Sequence, residues 1–203
     1  MKEIEGLLRF WFGELHNELA NSDKNQLWYQ ATEQIDQEIK VQFLDLYQQA
    51  INNELAHWQQ SARGSLALVI LLDQMPRNMF RGTAQAFAND KLALEVAQHG
   101  ITNGFDKKLQ LIEQIFYYHP FEHSENLAIQ QQSVKLFSAL RNEYQSVEQL
   151  AVIDNAIHWA KEHKEIIEQF ARFPHRNSIL SRESSDAELE YVKTGSDFGQ
   201  VSK

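Results

Sequence analysis

Apolar residues recur at three- and four-residue intervals along most of the chain. One stripe contains Ile35, Ile39 and Phe43, and a later one contains Ile153 and Ile157. This spacing is typical of helices that bury one face, whereas no segment shows the strict alternation of a half-buried strand. The pattern therefore predicts an all-α fold.

Local signals place the ends of these helices. The predicted helices lie near 3–12, 31–53, 62–75, 86–99, 106–118, 124–143, 147–172 and 185–194. Ser146 and Ser185 are each followed three residues later by Gln or Glu, which is the capping-box pattern of a helix start. Gly100 and Gly195 stand where helices are expected to stop.

Short connections between successive helices favour antiparallel helical hairpins. The spacing of the middle helices suggests an α–α superhelix similar to tetratricopeptide repeats, with a compact bundle as the alternative. Residues 1–203 contain no linker or low-complexity segment, so we expect a single domain. A tail from about residue 174 carries apolar residues such as Ile179, Tyr191 and Phe198, and we expect it to pack back on the body.

Composition narrows the classes of function. The 203 residues carry a formal net charge of −9, which disfavours nucleic acid as a partner because such binding depends on neutralising phosphates. Cysteine is absent, which excludes disulfides, thiolate nucleophiles and thiolate metal sites. The longest purely apolar run, Leu66–Leu72, is too short to span a membrane, and the start of the chain lacks an export signal. We therefore expect a cytoplasmic protein without a membrane partner; the oligomeric state is left open.

Three segments around the three prolines carry most of the unusual chemistry. They surround Pro76, Pro120 and Pro174. Because proline lacks an N–H and clashes with the preceding turn, each is predicted to end or start a helix. Polar residues beside them would then lie in loops at helix ends, where binding and catalytic groups are concentrated.

Arginine is concentrated in two of these segments. Five of the eight arginines are Arg77, Arg81, Arg172, Arg176 and Arg182. The planar guanidinium matches carboxylate and phosphate groups, so these side chains could form an anion site. Pairing with neighbouring carboxylates is an equally plausible structural role.

The middle segment contains His119, Glu122 and His123, which literally match the H-x-x-E-H zinc pattern. Pro120 is expected to place His119 at a helix start, so the two rings need not align, and we predict no metal and no cofactor. His123 and Glu125 would form a polar pair at a helix N-terminus, or His123 would act as an acid–base group. The remaining candidates, His57, His158 and His163, are predicted to lie on the surface.

Several motifs together resemble one protein family. They are Phe10–Gly13, Leu72–Gly82, Ala86–Asp90, Pro120–Glu125, Arg172–Asn177 and Arg182–Ser184. The chain is similar, from about Ile4 to Phe198, to a mainly bacterial family, the domain of unknown function numbered 924. The resemblance implies a tetratricopeptide-like helical fold and no established reaction. His119 departs from the family pattern, which usually has Leu or Met at that position, and this weakens the zinc interpretation.

These observations define an expected site and two expected functions. The predicted ligand-binding residues are Arg77, Asn78, Arg81, His123, Glu125, His175, Arg176, Asn177 and Arg182, and the three proline segments are predicted to converge in space. The first hypothesis is a polar groove that binds a small anionic ligand or an acidic peptide. The alternative is a hydrolase or transferase in which His123 or His175, with Glu125 as a further candidate, provides acid–base catalysis and arginines stabilise negative charge. Whether the protein is an enzyme stays open at this point.

Overall fold

The computed structural model describes residues 2–195 and 198–200, and this part of the chain is mainly helical. The α-helices are α1 (Lys2–Phe12), α2 (Lys24–Tyr29), α3 (Glu33–Ile51), α4 (Ala62–Val69), α5 (Met75–Met79), α6 (Asp90–Thr102), α7 (Leu111–Glu122), α8 (Leu127–Leu140), α9 (Val147–Phe170) and α10 (Asp186–Thr194). Short 3₁₀ helices cover Ala56–Gln60, Ala84–Phe87, Asp106–Lys108 and Pro174–Arg176. The all-α prediction is confirmed.

Packing joins some helices that follow one another in sequence and some that do not. Helix α7 packs on α6 and α8, α8 packs on α9, and α4 packs on α1 and α6. Helix α7 is buried along almost its whole length, so it forms the centre of the large apolar core. A tetratricopeptide-like superhelix and a single domain stay predictions. Among the described helices, none has the length and apolar character needed to cross a bilayer.

Two short elements near the N-terminus differ from the sequence prediction. Leu15–His16 pairs antiparallel with Leu19–Ala20 through a turn in which Asn17 and Glu18 have positive φ angles of 49° and 64°. Strands of two residues cannot show the alternation on which a sequence prediction depends. The sequence did not predict helix α2 for a related reason. Its six residues span less than two helical turns, which is too short to show a helical periodicity.

Pro76 lies in the first turn of α5, which agrees with the predicted helix start, but the chain is helical on both sides of it. Residues Ile70–Gln74 form a π-helical turn between α4 and α5, in which the Met75 N–H bonds to the Ile70 carbonyl. A proline inside a regular α-helix clashes with the carbonyl four residues earlier. The wider turn lets the chain continue through Pro76 to Met79, and it places Asp73 in the fully buried interior.

Pro120 lies inside α7, although the sequence predicted a helix that ends near residue 118. The helix continues to Glu122, and the His123 N–H still bonds to the His119 carbonyl at 3.0 Å. His119 is therefore in the last turns of a helix, and not at a helix start. His123 caps the C-terminus of α7, and not an N-terminus as expected. The extensive burial of α7 offsets the cost of an interior proline, which is about 3 kcal/mol.

The C-terminal segment packs against the body as expected. Pro174 begins a short 3₁₀ helix, and Phe173 joins Ile166 and Ile167 in a second, smaller apolar cluster. Phe198 packs against this cluster, and the Gln200 amide donates to the Arg77 carbonyl at 3.2 Å. The predicted capping box at Ser185 is present. At Ser146 only half of the predicted box forms, because the Ser146 side chain accepts from the Gln149 N–H while the Gln149 amide donates to the Asn17 carbonyl.

Gly195 ends α10 as predicted, but Gly100 lies inside α6 and has a packing role. A Cβ atom at residue 100 would lie 1.7 Å from the hydroxyl oxygen of Tyr117. That hydroxyl is buried and is 2.6 Å from the Ser65 hydroxyl. Gly100 is thus required for the close approach of α6, α7 and α4.

We expect Gly100→Ala to lower the free energy of unfolding by about 2 kcal/mol, because the buried Tyr117 must move to admit the methyl group. Gly6→Ala in α1 is the matched control, since Gly6 is exposed and no described atom lies within 4 Å of the place that its new methyl group would take. The control should be stabilised by about 0.5–1 kcal/mol through helix propensity. Urea denaturation measures both changes, and an equal effect of the two substitutions would contradict the packing role.

Candidate functional site

The three proline segments meet around two carboxylates, Asp73 and Asp90. Arg77 donates to both oxygens of Asp90 in a forked pair, with both N–O distances 3.0 Å. Arg176 donates from Nη1 to Asp90 Oδ2 at 3.2 Å, which ties the third segment to the first. His123 brings in the second segment, since its Nδ1 lies 2.8 Å from Asp73 Oδ1. Arg77, His123 and Arg176 therefore lie together.

A cleft of about 350 Å³ opens beside this network. Its polar lining comes from Asp90, Lys91, His123, Ser124, Glu125 and Arg176. Its apolar lining comes from Ala84, Phe87, Ala88, Leu94, Pro120 and Leu180. One small concave surface is thus formed by residues from the loop after α7, the start of α6 and the C-terminal segment. Small-molecule sites usually have this form.

The orientation of His123 follows from its partner. An ionised carboxylate only accepts hydrogen bonds, so the Nδ1–H of His123 donates to Asp73 and the other ring nitrogen, Nε2, carries the lone pair. Asp73 is completely buried, whereas the His123 side chain keeps 15% of its surface exposed. The ring therefore connects a buried carboxylate to the wall of the cleft.

Charges in the network shift several pKa values. Burial raises the pKa of Asp73, but the Arg77 guanidinium and His123 outweigh it and hold that pKa well below its usual range. Burial, together with Arg77, lowers the pKa of His123 despite the opposing effect of Asp73. At neutral pH, Asp73 is therefore an anion and His123 is a neutral imidazole.

Arg176 is a buried cation with few partners. Its side chain is only 7% exposed, and its guanidinium carbon lies 4.6 Å from the ring centre of Phe87 and 4.4 Å from that of Phe173. Its Nε is buried and has no hydrogen-bond partner within the described part of the chain. Burial is the main reason that its pKa falls to about 10, and the nearby Arg77 adds to this effect.

The other predicted site residues have structural contacts. Asn78 and Arg81 both donate to Asp36 of α3, at distances of 2.6–2.9 Å, and do not line the cleft. Asn177 donates to Ser184 at 3.0 Å and to Glu188 at 3.3 Å. These three residues hold loops in place, which is the ion-pairing or capping role that the sequence left open.

Glu125 and Arg182 form a forked pair at the edge of the cleft, with N–O distances of 2.8 and 3.0 Å. Glu125 lines the cleft and also accepts from the Phe173 N–H at 2.8 Å. His175 is 4% exposed, does not line the cleft and stacks near Phe198, with ring centres 5.0 Å apart. Burial, with Arg176 second, lowers the pKa of His175 to about 2.

His123 belongs to a cluster of three histidines, in which His163 is buried and His119 and His123 are partly buried. The ring centres of His119 and His123 are 5.8 Å apart, and those of His123 and His163 are 6.1 Å apart. His163 is buried, contrary to the surface prediction, and its Nδ1 is 3.0 Å from Glu122 Oε1. Burial lowers the pKa of His119 to about 4.

Only an indirect sign of this cluster is present in the sequence. In a continuous helix, the spacing of His119, Glu122 and His123 places all three on one face, so the motif itself indicated proximity. Among the described residues, no group of three or more His, Asp or Glu side chains has the geometry to hold a metal ion.

Comparisons with known proteins give a family and a fold but no activity. The sequence profile of a bacterial protein family of unknown function (DUF924) matches residues 7–196. A solved structure of a protein of unknown function from Agrobacterium tumefaciens is 35% identical and covers 96% of this chain and 98% of its own, with a TM-score of 0.79. None of the curated proteins matches the sequence.

We expect Arg77→Lys to lower the free energy of unfolding by about 2 kcal/mol, because lysine keeps the charge but cannot form the buried fork to Asp90. Arg141→Lys is the matched control, since Arg141 pairs with Asp154 on the surface and both side chains are about half exposed. The control should change stability by less than about 0.5 kcal/mol. Equal losses in urea denaturation of the two variants would contradict a structural role for the fork.

The lowered pKa of His119 predicts acid sensitivity. Between the unfolded value of 6.5 and the folded value of about 4, the unfolded chain binds a proton that the folded chain does not. Stability therefore falls as the pH drops through this window, by about 2 kcal/mol between pH 7 and pH 5 from this residue.

The test of this prediction compares His119→Leu with His158→Gln, because His158 is exposed. Urea midpoints measured at pH 5 and pH 7 should differ less for His119→Leu than for the unmodified protein. His158→Gln should keep the full difference. An unchanged pH dependence in His119→Leu would show that His119 does not contribute to it.

Proposed function

The chain belongs to the DUF924 family of bacterial proteins of unknown function, and we propose that its cleft binds a small anionic ligand on which His123 acts as a general acid–base group. The reaction class is hydrolysis or group transfer. One observation carries this proposal: the imidazole on the cleft wall is hydrogen-bonded at 2.8 Å to the fully buried carboxylate of Asp73.

Asp73 is the positioning residue in this proposal. By accepting the Nδ1–H of His123, it fixes the tautomer and leaves Nε2 as the basic nitrogen. Asp73 is itself fixed, because it lies in the π-helical turn and the Gln74 amide donates to its other oxygen. Its lowered pKa keeps it ionised, so it can stabilise an imidazolium after proton transfer.

The lowered pKa of His123 suits the role of a base at neutral pH. A histidine that is already protonated cannot accept a proton from a nucleophile, whereas the neutral ring can. Arg176 on the same wall supplies the positive charge that would stabilise an anionic ligand or a developing negative charge. The site thus offers a base, an orienting carboxylate and a cation within one cleft.

A site that only binds anions is the second candidate, and the under-bonded guanidinium of Arg176 favours it. Arg77 and Arg182 are already forked onto carboxylates, so the cleft is not a broadly cationic groove and is poorly suited to an acidic peptide. The volume of about 350 Å³ also suits a small molecule better than a peptide. His175 is a poor alternative base, because it is buried away from the cleft.

We expect His123→Gln to lose turnover by about 100-fold and Asp73→Asn by about 10-fold or more, because both substitutions remove the oriented base. The probes are p-nitrophenyl acetate, p-nitrophenyl phosphate and p-nitrophenyl sulfate at pH 7.5, with release of p-nitrophenol as the measurement. At least one probe should be turned over by the unmodified protein.

His158→Gln is the control and should keep activity within about twofold, since His158 is exposed and does not line the cleft. Circular dichroism of each variant verifies folding. Equal turnover by His123→Gln, or no turnover of any probe by the unmodified protein, would contradict the catalytic proposal.

A further inference from the structure

We propose that the anion held in this cleft is a single carboxylate, and that the ligand class is small monocarboxylic acids that carry a short apolar chain. This inference rests on the proposed function, because it names the ligand of the same site. It stands on three features of the cleft: the unused hydrogen-bonding capacity of Arg176, the balance of lining charges and the apolar part of the wall.

Arg176 is buried, yet most of its N–H donors have no hydrogen-bond partner among the described residues. Among the described residues, its guanidinium makes one hydrogen bond, from Nη1 to Asp90 Oδ2 at 3.2 Å, while a guanidinium carries five N–H donors. Within the same residues its buried Nε has no partner, which is costly for a charged group. The guanidinium carbon lies 4.6 Å from the ring centre of Phe87 and 4.4 Å from that of Phe173. These two contacts hold the guanidinium in place, and its forked N–H donors match a planar carboxylate.

The balance of charge favours one negative charge over two. The lining contains two carboxylates, Asp90 and Glu125, and two cations, Arg176 and Lys91. Lys91 is largely exposed and lies 3.9 Å from Glu95, so its contribution is weak. A monoanion can bind through the unused donors of Arg176. A dianionic phosphate would bring a second negative charge to a cleft in which Arg77 and Arg182 are already paired with Asp90 and Glu125.

The apolar part of the wall points to an aliphatic portion of the ligand. Ala84, Ala88, Leu94 and Leu180 line the cleft together with Phe87 and Pro120, and these side chains offer neither donors nor acceptors. A ligand whose carboxylate meets Arg176 can lay a short chain on this surface while its reacting group faces His123. Each buried methylene should strengthen binding about fourfold until the wall is covered.

The test compares three probes that share one chain and differ in head group: hexanoate, hexyl phosphate and hexan-1-ol. Dissociation constants are measured at pH 7.5 by ¹H–¹⁵N NMR titration of the unmodified protein. At this pH most of the hexyl phosphate is dianionic, because the second phosphate pKa is about 6. Hexanoate should bind at least about tenfold more tightly than either other probe.

Variants test which residues bind the carboxylate of the ligand and which contact its apolar chain. Arg176→Gln should weaken hexanoate binding by about tenfold or more. If that variant is unstable, Arg176→Lys tests the fork while keeping the charge. Arg141→Gln is the control and should bind normally, because Arg141 does not line the cleft. Leu94→Ala should weaken binding of hexanoate but not of acetate, because only the longer chain reaches the apolar wall.

The outcomes separate this inference from the proposed function. If hexyl phosphate binds as tightly as hexanoate, and Arg176→Gln abolishes that binding, the carboxylate assignment would be overturned. An anion site at Arg176 would still be supported. Equal binding of hexan-1-ol would overturn both the inference and the anion site. Binding of none of the probes would overturn the inference, and the turnover experiment on His123 would still decide the catalytic proposal.

Discussion

The arrangement of this site depends on the ion pairs that the Asp90 carboxylate forms with Arg77 and Arg176. Asp90 is the first residue of α6 and joins Arg77 of α5 to Arg176 of the C-terminal segment. Arg77 then leads to Asp73, at an N–O distance of 3.5 Å, and Asp73 leads to His123. Opposite charges therefore alternate from Arg176 through Asp90 and Arg77 to Asp73. Loss of one of these four groups would leave a neighbouring charge uncompensated in a largely buried place.

The features that could be predicted from sequence are those that depend on local physics. The helical periodicities, the cap at Ser146 and the capping box at Ser185 involve residues within a few positions of each other, and they are present. The meeting of the proline segments is expected from connections that lie side by side in stacked hairpins, but Pro120 lies inside a helix, so this reason does not apply to its segment. Ligand binding at these residues stays a prediction.

The remaining features depend on tertiary packing and therefore left no local sign. Asp36 holds Arg81 from a helix 45 positions away, and nothing near Asp36 in sequence marks it as a partner. His163 resembles a surface histidine until Glu122 and Phe198 are placed beside it. The prediction for Pro120 is wrong because the rule that prolines break helices is a local preference, which the burial of α7 overrules. At Pro76 the rule holds, since a π-helical turn separates α4 from the start of α5.

The C-terminal segment has a consequence for the order in which the protein acquires its site. Arg176 reaches Asp90 across 86 positions, and Gln200 reaches Arg77 across 123. Contacts of such separation form late, since the entropy of closing a long loop must be overcome first. Asp90 and Arg77 are thirteen positions apart and can pair before Arg176 has been synthesised. Assembly of the cleft is thereby coupled to synthesis of the segment that carries Arg176.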